Sequence, residues 1–160
     1  MVLAHVPVGG LVATYAAKSS EVDTARLDEV VRAAGRIVAY PRIAGGGRLL
    51  AFHAVTIDDL VPGTFSIREP LVSAPEIALG SIDAFVIPCV AFCTEGTNGV
   101  TRIGWGGGHY DSTLVAASAS AIRIGLAFEC QRVDGVPAEA HDVPLHHVIT
   151  ETAVYPEHQG

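Results

Sequence analysis

Short apolar runs separated by polar loops that carry glycine or proline set the rhythm of this chain. The run at 11–15 follows Gly9 and Gly10 and reads as a first strand, with a polar loop at 18–23 on its carboxyl side. Between 24 and 34 apolar side chains fall at Leu27, Val30, Val31 and Ala34, the three- and four-residue spacing that turns one helix face to a core. Asp23 or Thr24 serves as N-cap and Gly35 as terminator. The run at 36–40 is the next strand, which Pro41 stops. Strand, helix and strand at this spacing make the unit from which parallel sheets are built.

A further strand is predicted at 49–55, after the turn Gly45-Gly46-Gly47. Segment 58–75 is broken by Pro62, Gly63, Pro70 and Pro75, so it is loop-rich with a short extension at 64–67. Positions 82–87 are nearly all apolar and stop at Pro88, as expected of a central strand buried on both faces. A helix over about 110–120, a buried strand at 122–128 and a last short strand at 148–150 complete the pattern. No repeat and no linker divides the chain. The expectation is one α/β domain over 1–160, three-layered, with a mostly parallel, Rossmann-like open sheet and helices on both faces.

Composition narrows the partners. An apolar share of 49% and a mean hydropathy of +0.39 describe a globular chain, not a disordered one. The net charge of −7 and the absence of any Lys/Arg run argue against nucleic acid or an anionic membrane as main partner. Cys89, Cys93 and Cys130 form an odd set without CxxC spacing and read as buried, reduced thiols of a cytoplasmic protein. The apolar start has no basic flank and is interrupted by Pro7, Gly9 and Gly10, so it reads as a loop leading into the first strand. A monomer or weak homodimer is expected.

Candidate chemistry concentrates in Arg102-Ile103-Gly104-Trp105-Gly106-Gly107-Gly108-His109-Tyr110-Asp111. Glycines at this density bring backbone N–H groups close to a ligand, as phosphate loops do. A P-loop is excluded, because no Gly-Lys-Ser/Thr occurs, and the dinucleotide fingerprint fails at His109, where its third glycine belongs. A glycine-rich hairpin turn is the plainer alternative. Arg102 before the loop can pair with phosphate oxygens, and Asp111 after it is a natural magnesium ligand. Trp105, His109 and Tyr110 suit a planar heterocycle, with Trp105 the best placed to stack. Glu21, in the loop after the first strand, can accept N–H groups of a pterin or purine, or it is a solvated loop acid. Asp142 can join Asp111 on one magnesium ion. His146 and His147 suggest a metal site, yet surface histidines before a strand explain them better. No serine elbow, HExxH or Cys–His arrangement is present, so the chemistry points to nucleotide-assisted group activation.

The stretch from Gly99 through Val100 and Thr101 to Asp111 resembles the signature of 5-formyltetrahydrofolate cyclo-ligases, approximately G-x-R-[LI]-G-x-G-x-G-Y-Y-D-R. Ser20-Glu21-Val22-Asp23-Thr24 resembles that family's acidic turn, the run Ile82 to Phe92 its strand before the loop, and Phe128, Glu129, Gln131, Pro137 to Asp142 and Ile149 to Glu151 its C-terminal block. The resemblance implies ATP- and magnesium-dependent cyclisation of 5-formyltetrahydrofolate to 5,10-methenyltetrahydrofolate. It implies ATP binding by Arg102, Ile103, Gly104, Trp105, Gly106, Gly107, Gly108, His109 and Tyr110. Folate would be held by Glu21, Trp105, Gly106, Gly107, Gly108 and His109, and magnesium by Asp111 and Asp142. The chain departs from the pattern where His109 replaces the first tyrosine and Ser112 the final arginine. The family's N-terminal helix with its K-x-x-x-R cations has no match here, leaving Lys18 as the nearby cation. The alternative is a member that binds folate or nucleotide without turnover.

Overall fold

The computed structural model describes residues 1–94, 99–137 and 139–156. Its strands are β1 (Leu11–Ala13), β2 (Ile37–Ile43), β3 (Leu50–His53), β4 (Val61–Pro62), β5 (Arg68–Glu69), β6 (Glu76–Ile77), β7 (Ala84–Pro88), β8 (Ala91–Cys93), β9 (Thr101–Ile103), β10 (Ile122–Leu126), β11 (His147–Ile149) and β12 (Val154–Tyr155). The α-helices are α1 (Ala25–Ala33) and α2 (His109–Ala116). Eight strands form one sheet in the order β12-β11-β10-β7-β1-β2-β3-β6. The central strands β11, β10, β7, β1 and β2 run parallel, whereas β12, at one edge, and β3 pair antiparallel to their inner neighbours. This is an α/β fold with a mostly parallel sheet.

Strand alternation divides the core in two. Leu11, Ala13, Ala39, Phe85 and Ile87 point to one face, where Leu114 and Tyr110 of α2 pack. Val12, Val38, Ala84 and Val86 point to the other, where Val31 and Leu27 of α1 pack. The two helices therefore cover opposite faces of the sheet. Thr24 is the N-cap of α1 but its hydroxyl donates to the Tyr15 carbonyl, so the side-chain contact to the helix start comes from Asp23, whose Oδ1 accepts the Ala25 N–H at 2.9 Å. Gly35 follows the helix at φ +72°, the left-handed terminator that a side chain would strain.

Four expectations need correction. Strand β2 does not stop at Pro41 but runs through it to Ile43. The Ile43 N–H points toward the Glu69 carboxylate, and alternation aims the Pro41 nitrogen the same way, off the β3 ladder, so no sheet bond is lost. Segment 64–67 is not extended: Thr64–Ser66 is a helical turn with Phe65 and Ser66 at φ 56° and 62°. Helix α2 ends at Ala116, because the Ser118 hydroxyl takes the Ser120 N–H in a local turn. Cys89 and Cys93 are buried, but Cys130 is exposed.

From β1 the chain passes through α1 to β2 on one side, while β7 lies on β1's other side and leads to α2 on the opposite face. The connections leaving the carboxyl ends of the adjacent strands β1 and β7 thus part to opposite faces, the switch point where open α/β sheets form a ligand-binding crevice.

Candidate functional site

Two connections meet at that crevice. One is the loop after β1, which carries Lys18 and Glu21. The other leaves β7, forms the β8–β9 hairpin and enters α2 through the glycine loop. The hairpin pairs Arg102 with Phe92 and the exposed Ile103 with Ala91, which fixes where the loop begins.

Arg102, in β9 just before the glycine loop, has its side chain only 6% exposed. It donates to Asp111 Oδ2 at 3.3 Å, and its guanidinium carbon lies 5.5 Å from the centre of the Tyr110 ring. Its Nε and the Tyr110 hydroxyl are buried without a hydrogen-bond partner among the described residues. Burial raises the Tyr110 phenol far above its ordinary value, so it stays protonated and can donate. The same cause pushes the Cys89 thiol up to about 12, which makes it an inert packing group and not a nucleophile.

The glycines have separate reasons. Gly106 and Gly108 sit at φ +87° and +65°, and a side chain on Gly104 would lie 2.6 Å from an Arg102 nitrogen. Gly108 is also the N-cap of α2, and with no side chain capping that end the helix presents N–H groups and the positive end of its dipole. An anion fits such an end. His109 is held by its Nδ1, 3.0 Å from the Arg48 carbonyl.

Glu21 and Trp105, 84 positions apart, are in direct contact: the indole N–H donates to Glu21 Oε1 at 2.7 Å. The Lys18 backbone N–H binds the other carboxylate oxygen at 2.7 Å, so Glu21 is oriented from both sides. Trp105 remains 64% exposed, with its ring open to stacking. The Lys18 ammonium donates to the Phe65 carbonyl at 2.6 Å, which draws the 64–66 turn beside this loop.

Asp111 Oδ1 accepts the Val143 N–H at 3.1 Å, adjacent in the chain to Asp142. Asp142 accepts the Glu139 N–H at 2.7 Å. Among the described residues no cluster of three or more His, Cys, Asp or Glu forms a metal site. Asp111 and Asp142 are of the donor type that magnesium can take, since it uses one or two carboxylates and completes its shell from phosphate and water. His146 and His147 lie elsewhere and are half-buried, not surface groups. His146 Nδ1 accepts the Arg123 N–H at 2.9 Å, and the His147 ring packs 4.2 Å from His5.

Arg48 was not foreseen. In sequence it merely follows three turn glycines, but its guanidinium comes within 3.5 Å of the position a Gly108 Cβ would take. It lines a cavity of about 310 Å³ with Asp111, Ser112, Val115 and His141. Only the β2–β3 pairing, which brings the turn over the start of α2, reveals it.

Comparison with known proteins accords with this architecture. Residues 3–151 match the 5-formyltetrahydrofolate cyclo-ligase family. The 5-formyltetrahydrofolate cyclo-ligase of Escherichia coli K12 is 32% identical over 159 residues, covering 97% of this chain and 82% of that protein. The one from Mycolicibacterium smegmatis is 33% identical, covering 93% and 72%. The NMR structure of Aquifex aeolicus 5,10-methenyltetrahydrofolate synthetase superposes with a TM-score of 0.72 at 28% identity, covering 91% of this chain and 71% of that one. On its sequence and its fold together, this chain belongs to the 5-formyltetrahydrofolate cyclo-ligase family.

Proposed function

We propose that this protein is a ligase that cyclises 5-formyltetrahydrofolate to 5,10-methenyltetrahydrofolate at the expense of ATP. The observation that carries the reading is the Trp105–Glu21 hydrogen bond, which sets the candidate pterin carboxylate against the candidate phosphate loop. One crevice can thereby hold both substrates with their reacting atoms adjacent, and proximity is a major part of phosphoryl transfer catalysis.

A formyl oxygen on nitrogen is a poor leaving group, and phosphate is a good one. The formyl oxygen attacks the γ-phosphorus, forming an O–P bond as the bond to the bridging oxygen breaks and ADP leaves. N10 then adds to the activated carbon, loses its proton, and phosphate departs with the former formyl oxygen. In this reading Arg102 and the open N–H groups from Gly106 to Tyr110 neutralise charge on the phosphates. Glu21 orients the pterin through its N–H groups, and Trp105 covers its face. Asp111 and Asp142 would hold magnesium, which supplies charge neutralisation at the phosphates when bound. The protein is proposed to act in the cytoplasm as a monomer or weak homodimer, without nucleic acid or membrane partners. Among the described residues no helix is long and apolar enough to cross a membrane.

The test is the absorbance of methenyltetrahydrofolate when purified protein meets 5-formyltetrahydrofolate and magnesium-ATP. An ATP-dependent rise that disappears in Arg102→Ala is expected. Well-folded protein that forms no product overturns the reading and leaves a protein that binds without turnover.

A further inference from the structure

The two departures from the family signature, His109 and Ser112, converge on one residue. A carbonyl oxygen can only accept, so the 3.0 Å contact requires that His109 Nδ1 donates to the Arg48 carbonyl, tying the β2–β3 turn to the glycine loop. Ser112 shares the cavity wall with Arg48, Asp111, Val115 and His141, and its small side chain leaves the space that the signature's arginine would fill. The Arg48 guanidinium, set close to Gly108 at the amino end of α2, makes no hydrogen bond or ion pair among the described residues. Asp111, the carboxylate on that wall, is already engaged by Arg102 and by the Val143 N–H. A cation held beside the positive end of a helix, with Arg102 bound to Asp111 in the first turn of that helix and its buried Nε unpartnered among the described residues, is an arrangement that an anion stabilises.

We infer that Arg48 is a phosphate-binding residue, supplying to the nucleotide triphosphate the charge that the signature places on the arginine after the aspartate. The cation has moved from α2 to a neighbouring turn, and His109 is the tie that holds it in place. The inference rests on the proposed ATP-dependent reaction for its ligand, yet it concerns binding and can be tested without turnover.

The experiment measures binding of a non-hydrolysable ATP analogue and of inorganic triphosphate by calorimetry, alongside steady-state rates. Arg48→Gln is expected to weaken both ligands by about tenfold to a hundredfold, the effect of one lost charge-assisted contact. The KM for ATP should rise in parallel while the KM for 5-formyltetrahydrofolate stays within about twofold. Adding Ser112→Arg to Arg48→Gln should restore much of the triphosphate affinity, a rescue that a merely structural arginine would not show. Unchanged triphosphate binding in Arg48→Gln overturns the inference while leaving the cyclo-ligase reading intact. So does equal loss of triphosphate and folate without rescue by Ser112→Arg. If wild-type protein binds triphosphate through Arg48 but forms no methenyl product, the phosphate role stands and the cyclo-ligase reading falls. Wild-type protein that binds no triphosphate overturns both.

Discussion

Two arginine–aspartate pairs lie on opposite faces of the sheet, and they are built to opposite ends. Arg32 and Asp28 pair within α1, and the network closes around them: the Tyr40 hydroxyl donates to Asp28 at 2.5 Å, and the Arg32 guanidinium also reaches the Val55 carbonyl. Arg102 and Asp111 pair at 3.3 Å across the glycine loop, and there the network stays open. The Arg102 Nε and the Tyr110 hydroxyl are buried without partners among the described residues. Native proteins rarely leave buried donors unpaired, so the open network is consistent with the ligand site proposed above. The first pair is closed within the fold, and the second leaves donors open for the proposed phosphate contacts.

The largest effect should come from breaking the open pair. Arg102→Ala is expected to lower kcat/KM for ATP by about a hundredfold or more, as loss of a preorganised donor to developing charge does. Initial rates of methenyltetrahydrofolate formation read it. The melting temperature should move less, because the Asp111 side chain is 20% exposed, against 5% for Asp28, and keeps the Val143 N–H. Breaking the closed pair reverses the pattern. Arg32→Ala strands the Asp28 charge and should cost about 2 kcal/mol of stability, measured by urea unfolding, with the rate per folded molecule unchanged. Equal effects of both variants on rate and stability would erase the distinction.

Asp111→Asn sharpens the comparison on its open side. It should weaken magnesium-ATP about tenfold, one lost charge-assisted contact, while folate affinity stays nearly intact. Parallel loss of both ligands, measured by calorimetry, would mean that the loop had collapsed.

The smallest effect lies on the amino side of the sheet, where His146 belongs to another closed network. Burial, aided by the charge of Arg123, holds its pKa below the ordinary value of 6.5. Below that pH the unfolded chain takes up a proton that the folded imidazole resists, so stability should fall as pH drops from about 6.5. Protonation would also set an N–H against the Arg123 N–H that His146 now accepts. Glu129, held below its ordinary 4.5 chiefly by the Tyr155 hydroxyl, contributes stability above that pH and loses it below. Urea midpoints between about pH 7 and about pH 5 should therefore decline in the wild type and decline less in His146→Gln.

Much of this was readable along the chain because its causes are local. The βαβ unit follows from the spacing of Leu27, Val30 and Val31 and from Gly35, and the helix formed where that spacing put it. The buried run ending at Pro88 became the central strand β7. The glycine loop was recognisable because φ preferences belong to single residues, and Gly106 and Gly108 do adopt positive φ. Pro41 misled because its cost depends on whether an acceptor faces its nitrogen, and only the partner strands decide that. The 64–66 turn was missed since Phe65 and Ser66 adopt a conformation their own preferences disfavour, with the Lys18 ammonium bound to the carbonyl between them.

The sequence by itself determined the βαβ unit, the apolar strands of the sheet centre, the glycine loop and the residue types able to meet phosphate, pterin and magnesium, but not the short strands β4, β5, β6, β8, β9 and β12. These depend on backbone preferences and on periodicity, which act over a few neighbouring residues. The tertiary structure alone decided that Trp105 would lie against Glu21, that the charge of Asp28 would be closed off while Arg102 kept a donor unpartnered among the described residues, and that Arg48 would stand where Ser112 leaves room. Such contacts join segments far apart in the chain, and their geometry is set by strand order and register, which no local preference encodes.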